Sequence, residues 1–395
     1  MTYYRCVGDV PRKRHQQFRD ADGHLLTEEL VGEEGFFHAS SLLYHRHLPN
    51  VLLEAEPVDV PALTSDGLPN SPLVPRLLQP HQLPTGGDVV TSRQPLVQND
   101  DVRVSYVVAD RPSPLFRNAL GDELVFVEEG AARLETVFGE LPARQGDYVR
   151  MPIGCVHRWV PEGPARFLVV EARGHVKVPA RYVSPRGQLL EHAPYSERDL
   201  RGPDGLLAPD DDGETEVLVR HRDGVTRHVY AHHPFDVVGW DGYVYPYALS
   251  IYDFEPIVKR FHAPPPVHET FAGPGFVVCS FCPRPADYDP TAVPLPYAHS
   301  AVDCDELMFF VAGDYTARKG SGVGLGSMTF HPSGFVHGPH PGAAEASLGR
   351  TRNEEHAVMI DTFRPLSLGA AAPACADEGY ATSWARLVRA AAGQR

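Results

Sequence analysis

Long apolar runs, a basic stripe and a dense cysteine pattern are all missing from this chain. Its apolar stretches fall well short of the roughly 20 residues that cross a bilayer. No N-terminal segment joins basic flanks to an apolar run, so neither a spanning helix nor a secretory leader is expected. Basic residues number 36 against 51 acidic ones, a formal net charge of −15, and only Arg12-Lys13-Arg14-His15 is locally basic. That balance excludes the electrostatic footprint of a nucleic-acid or anionic-membrane binder and favours solubility. Six cysteines in 395 residues are too scattered for a disulfide framework, which points to a reduced, cytoplasmic protein. Cys279-Ser-Phe-Cys282 has redox or zinc spacing. It lies in the strand-like run Phe276 to Cys282, where alternation sends the two side chains to opposite faces, and we read both as small apolar residues.

What the chain has instead is 38 prolines and 35 glycines, a composition of strands and turns rather than long helices. Its length allows two or three domains with a large core. The fold class expected is all-β with long loops.

One stretch organises the rest. Between His299 and His337 the chain reads His299-Ser-Ala-Val-Asp-Cys-Asp-Glu306, six residues to Gly313, then Gly326-(x)5-Pro332-x-Gly334-x-x-His337. Leu-Met-Phe-Phe-Val after Glu306 and Ser327 to His331 are short, apolar and closed by turn residues, so they read as two hairpin-linked strands. Two histidines and a glutamate on neighbouring strands are the ligand types of a mononuclear 2-His-1-carboxylate iron site with open positions.

The same spacing recurs upstream. Glu123 is followed by six residues and Gly130, and Gly146-(x)5-Pro152-x-Gly154-x-x-His157 repeats the second half. The offsets are 306 − 123 = 183, 313 − 130 = 183, 326 − 146 = 180 and 337 − 157 = 180. A duplicated barrel is the expectation.

These spacings resemble the two signature motifs of the cupin superfamily, G-(x)5-H-x-H-(x)4-E-(x)6-G and G-(x)5-P-x-G-x-x-H. His299 takes the first histidine position and Ala301 the second, leaving His299, Glu306 and His337 as ligands. In the N-terminal copy the histidine positions hold Phe116 and Asn118, so that copy is expected to be metal-free. The fold implied is a bicupin: two jelly-roll β-barrels with long loops and a short C-terminal helix.

In order, residues 1–90 read as a strand and loop region packing on the barrels, with Pro57 to Pro84 extended and proline-rich. The histidines His38, His45, His47 and His81 have no defensible ligand spacing and read as surface or core residues. Residues 91–180 form the first barrel, with strands at Val102 to Ala109, Glu123 to Glu128, Ala132 to Phe138, Asp147 to Met151 and Phe167 to Glu171. Residues 181–235 connect, and Pro209-Asp-Asp-Asp-Gly213 reads as a solvated loop rather than a calcium site. Residues 236–365 form the second barrel, opening at Val237 to Tyr247. Residues 366–395 are a tail whose helix places Asp377 and Glu378 in its first turn and Trp384, Leu387, Val388 and Ala391 on one face.

The chain as a whole resembles the homogentisate 1,2-dioxygenase family. The matching segments run from Pro234 to Gly242, Phe261 to Pro266, Pro283-Arg284, Pro296 to His299, Glu306-Leu-Met, Gly313-Asp-Tyr315 and His337-Gly-Pro339. The resemblance implies an Fe(II) enzyme that opens the ring of homogentisate, 2,5-dihydroxyphenylacetate, with both atoms of O2, giving maleylacetoacetate in tyrosine and phenylalanine catabolism. It implies iron on His299, Glu306 and His337, substrate contacts from Tyr315, Tyr297, His331 and His337, and His262 as base with His268 as the alternative. It also implies a homo-oligomer, trimeric or hexameric, with neither nucleic acid nor membrane as partner. This chain departs at the substrate end: Ser300 stands where the family has an arginine, and the His299 to Glu306 interval is one residue longer than in the long eukaryotic members. The alternatives are a bicupin acting on another hydroquinone-type phenol, or a metal-dependent isomerase or decarboxylase.

Overall fold

Two β-rich units account for the chain, and the computed structural model describes residues 3–209, 211–318 and 321–392. The first unit comprises residues 1–65, 85–93 and 106–250; the second comprises 66–84, 94–105 and 251–395.

In the first unit Glu123–Glu129 pairs antiparallel with both Asp147–Met151 and Ala165–Ala172. A second sheet carries Gly139–Arg144, Ala131–Thr136, His157–Pro161, Phe116–Asn118, Thr215–His221, Gly224–Tyr230 and Leu52–Val58 in that order. The segment expected only to connect the barrels therefore supplies two of its strands, Thr215–His221 and Gly224–Tyr230. Likewise Val237–Gly242 pairs with Arg5–Gly8 and Ser40–His45 rather than opening the second barrel. Alternating apolar residues can say that a stretch is a strand; the partner that completes its hydrogen bonds is set by the tertiary fold.

In the second unit the sheet order is Glu269–Gly273, Phe276–Phe281, His356–Thr362, Asp305–Ala312, Met328–His331, Arg76–Leu78. Arg76–Leu78 comes from the proline-rich region and pairs with Met328–His331, so part of the first 90 residues belongs to this unit. Strand alternation sorts the side chains. Glu306, Met308 and Phe310 point into a cavity, while Leu307 and Phe309 are buried on the other face. Cys279, Phe281, Phe310, Ala357 and Met359 form one apolar cluster.

The duplication is visible in the registers. Phe116 pairs with His157 and His299 with His337; Glu123 pairs with Met151 and Glu306 with His331. Each pair of the second unit is the first shifted by 183 and 180 residues, as 299 − 116 and 337 − 157 show.

The tail differs in detail from the expectation. A turn at Tyr380–Thr382 precedes the helix Ser383–Ala392, whose first turn has no acid. Asp377 lies upstream, where its carboxylate accepts the Gly379 N–H at 2.8 Å. Val388 is exposed, and the side chain of Ala391 falls outside the described residues. Trp384 stacks on His340 with ring centroids 4.0 Å apart.

Candidate active site

Backbone geometry brings the second unit's motif residues together. His299 and His337 exchange two N–H···O=C hydrogen bonds of 2.8 Å, the close pair of an antiparallel ladder. The P-x-G-x-x-H segment makes this possible. Pro332 follows the strand Met328–His331, and Gly334 turns the chain with φ +72°, a left-handed conformation that glycine adopts without steric cost. The Gly334 N–H donates to Ala301 O, as the Gly154 N–H does to Asn118 O in the first unit.

Both histidines are oriented by the same device. Nδ1–H of His299 donates to Tyr297 O at 2.9 Å and that of His337 to Phe335 O at 3.1 Å, which leaves Nε2 as the lone-pair nitrogen in each ring. Those Nε2 atoms lie 3.8 Å and 3.3 Å from the carboxylate oxygens of Glu306. Nε2 of His337 is buried without a hydrogen-bond partner among the described residues. Two imidazole lone pairs facing a carboxylate at this spacing fit a divalent metal ion. Burial alone would raise the Glu306 pKa, but His299, His331 and His337 outweigh it and hold the carboxyl well below its usual range.

His331 stands behind the carboxylate. Its Nδ1–H donates to Glu306 Oε1 at 3.2 Å, and its Nε2 accepts from Tyr380 O–H at 3.2 Å. Burial keeps this ring neutral, lowering its pKa to about 3. It is fully buried and absent from the cavity lining, so the structure places it as support for Glu306 rather than as a wall of the substrate space.

The cavity holds about 210 Å³ and is lined by His299 and Glu306, and by His262, His268, Tyr297 and Tyr315. His337 packs on His299 with ring centroids 4.4 Å apart but does not itself line the cavity. The Tyr297 ring lies edge-on to both His262 and His299. Tyr315 packs edge-on against Phe310 at 4.7 Å. Burial lowers the pKa of His262, and it lowers that of His268 to about 3, helped by the charge of Arg284. Both rings are therefore neutral at pH 7.

Several lining residues carry no spacing signal in the sequence. Arg284 pairs with Glu355 at 3.2 Å, and Arg318 donates to Gly338 O from a buried position. Asp361, outside the cavity lining, pairs with Glu306 across the ladder; burial and then the Glu306 charge push its pKa up to about 7. Its alternation with Ala357 and Met359 along one strand was the available clue.

The first unit fills the equivalent position differently. His157 keeps the orienting bond, Nδ1–H to Cys155 O at 3.1 Å, but both oxygens of Glu123 accept from the Arg93 guanidinium at 2.8 Å. Asn118 adds a third donor at 3.0 Å. A fixed organic cation stands where the second unit gathers its donors.

A barrel that gathers a histidine, glutamate, histidine set beside a cavity defines a cupin of the metal-site type. The family model described as homogentisate 1,2-dioxygenase N-terminal matches residues 89–253. A protein of Saccharolobus solfataricus, named provisionally as a dioxygenase, is 36% identical over 97% of this chain and 99% of its own length. The homogentisate 1,2-dioxygenase of Emericella nidulans is 27% identical over 62% of this chain, an alignment spanning 56% of that enzyme. Among solved structures, a cupin 2 conserved barrel protein from Leptotrichia buccalis aligns over 74% of this chain and 97% of its own, with 10% identity and a TM-score of 0.34. The chain belongs to the homogentisate 1,2-dioxygenase family, and it is a dioxygenase-type oxidoreductase. Among the described residues no helix is long and apolar enough to cross a membrane.

Proposed function

We propose that this ring-cleaving dioxygenase holds Fe(II) on His299, Glu306 and His337 and converts homogentisate and O2 to maleylacetoacetate. The observation that carries the reading is the convergence of the two Nε2 atoms on Glu306, whose carboxylate lines a cavity with both apolar and charged walls. Iron bound there would supply the one-electron coupling that lets triplet O2 react with a closed-shell phenol.

The chain's own residues do the rest. Phe281, Met308, Phe310 and Met359 give the cavity the apolar walls that seat an aromatic ring and exclude water. His262 takes the phenolic proton on a ring nitrogen: a phenol of pKa about 10 loses it more readily to a neutral imidazole held close by. Tyr315 packs against the substrate ring. Arg284 and Arg318 are the cationic side chains in the wall, and a substrate carboxylate would pair with them.

A second reading is favoured by one observation. Arg284 already pairs with Glu355, and Ser300 replaces the family arginine, so a hydroquinone with a neutral substituent would suit the same walls. Anaerobic reconstitution with Fe(II), followed by oxygen uptake with homogentisate, gentisate and alkyl hydroquinones, separates the two. Homogentisate should have the highest kcat/KM, with both atoms of 18O2 found in the product. Turnover of the neutral hydroquinones alone would select the second reading, and no uptake with any phenol would reject both.

A further inference from the structure

We propose a second metal site in the first unit, formed by His47, Asp212 and His232, that binds a divalent ion of the zinc type. The three residues lie on three separate loops: His47 follows the strand Ser40–His45, Asp212 precedes Thr215–His221, and His232 follows Gly224–Tyr230. Their ligand atoms all lie within 4.8 Å of one another, as do those of His299, Glu306 and His337.

The hydrogen bonding of His47 argues for a cation between these groups. Asp236 is buried, and its Oδ2 accepts from both the backbone N–H of His47 at 2.8 Å and its Nδ1–H at 3.2 Å. Its other oxygen is held by His45 at 2.6 Å. With Nδ1 carrying the proton, Nε2 of His47 presents its lone pair to Asp212 Oδ2 at 3.3 Å. Two acceptors facing each other repel unless a positive centre joins them. A carboxylate fixing the far nitrogen of an imidazole is also the arrangement that orients histidine ligands in metal sites.

The second imidazole favours a metal over a proton. His232 stacks on His47 with centroids 4.0 Å apart and planes 12° apart, so a nitrogen donor is available where a simple ion pair needs none. A nitrogen of His232 lies within 4.8 Å of the His47 and Asp212 ligand atoms, and a change of its side-chain torsions would turn its lone pair from the stack toward an ion. Two nitrogens and a carboxylate oxygen are a donor set that zinc takes in tetrahedral geometry. A cavity of about 50 Å³, lined by both histidines, adjoins the site, enough for a water as fourth ligand. Arg117 also lines that cavity, together with Glu29 and Asp236. An ion here would cross-link three loops and so stabilise the folded unit.

The test uses the full-length chain with its first site disabled by Glu306→Ala and His337→Ala, stripped with EDTA and titrated with ZnCl2. Retention of close to one zinc per chain with a rise in Tm is expected. Adding His47→Ala and His232→Ala should abolish both, and Asp212→Asn should weaken binding at least ~10-fold. Because Asp212 is half exposed, that variant tests the site even if the histidine variants fold poorly. Failure of the site-disabled chain to retain zinc, or retention unchanged by the His47 and His232 substitutions, would overturn the proposal.

Discussion

The Arg93 guanidinium grips the Glu123 carboxylate with two 2.8 Å hydrogen bonds inside the first unit, where neither side chain reaches solvent. Glu171 forms an ion pair with the same guanidinium at 3.1 Å and accepts a hydrogen bond from Arg220 at 2.7 Å. Burial would lower the Arg93 pKa, but Glu123 and Glu171 outweigh it and keep the group charged, while Arg93 holds Glu123 at about 2.

Removing one partner strands the other. Arg93→Met should destabilise the protein by about 3–5 kcal/mol, because it leaves two buried carboxylates facing each other. Combining it with Glu123→Gln should recover a large part of the loss. Urea denaturation of the two single variants and the double gives the coupling, and additive losses would refute the pairing as an energetic unit.

At the second unit's site, Glu306→Ala should lose most of the iron taken up on anaerobic reconstitution. Tyr380→Phe removes the O–H that His331 accepts, and so loosens the support behind Glu306. Its expected cost is roughly 10–100-fold in iron affinity, as for other groups that orient a ligand. Full iron content in Glu306→Ala would remove that carboxylate from the metal site.

For the base, His262→Ala should retain iron yet slow kcat by roughly 10²–10⁴-fold, with His268→Ala costing less. Burial lowers the His262 pKa, so the neutral, proton-accepting form persists to lower pH than for an ordinary histidine of pKa about 6.5. The acid limb of kcat/KM should therefore fall below pH 6.5 in the wild type. An iron-loaded His268→Ala that is inactive beside a fully active His262→Ala would move the role to His268.

His45 sets a stability dependence in the first unit. Burial would lower its pKa, but hydrogen bonds to Asp236 and Glu29 raise it to about 9. A raised histidine pKa stabilises the fold fully below the unfolded value and loses that contribution as pH climbs through the folded one. The metal-free protein should thus weaken between pH 6.5 and about 9, by something on the order of 3 kcal/mol. His45→Gln should flatten that slope; parallel urea midpoints for mutant and wild type across the range would contradict it.

Much of this was written in local order. Glu306 and His337, like Glu123 and His157, sit at fixed offsets from turn glycines because strand alternation and the left-handed turn at Gly334 or Gly154 fix which way each side chain points. A spacing can therefore announce an all-β duplicated barrel and its candidate ligands. It cannot announce partners that arrive from elsewhere. Arg93 reaches Glu123 from 30 residues away, and Val237–Gly242 completes a sheet with Arg5–Gly8 rather than with the barrel that follows it. Asp212 reads as one solvated acid in an acidic loop until the fold carries it to His47 and His232. Ion pairs, sheet partners and clusters of ligands depend on distances across the folded chain, and those are decided by how the strands pack; turn geometry and side-chain alternation act over a few residues, and the sequence alone determines them.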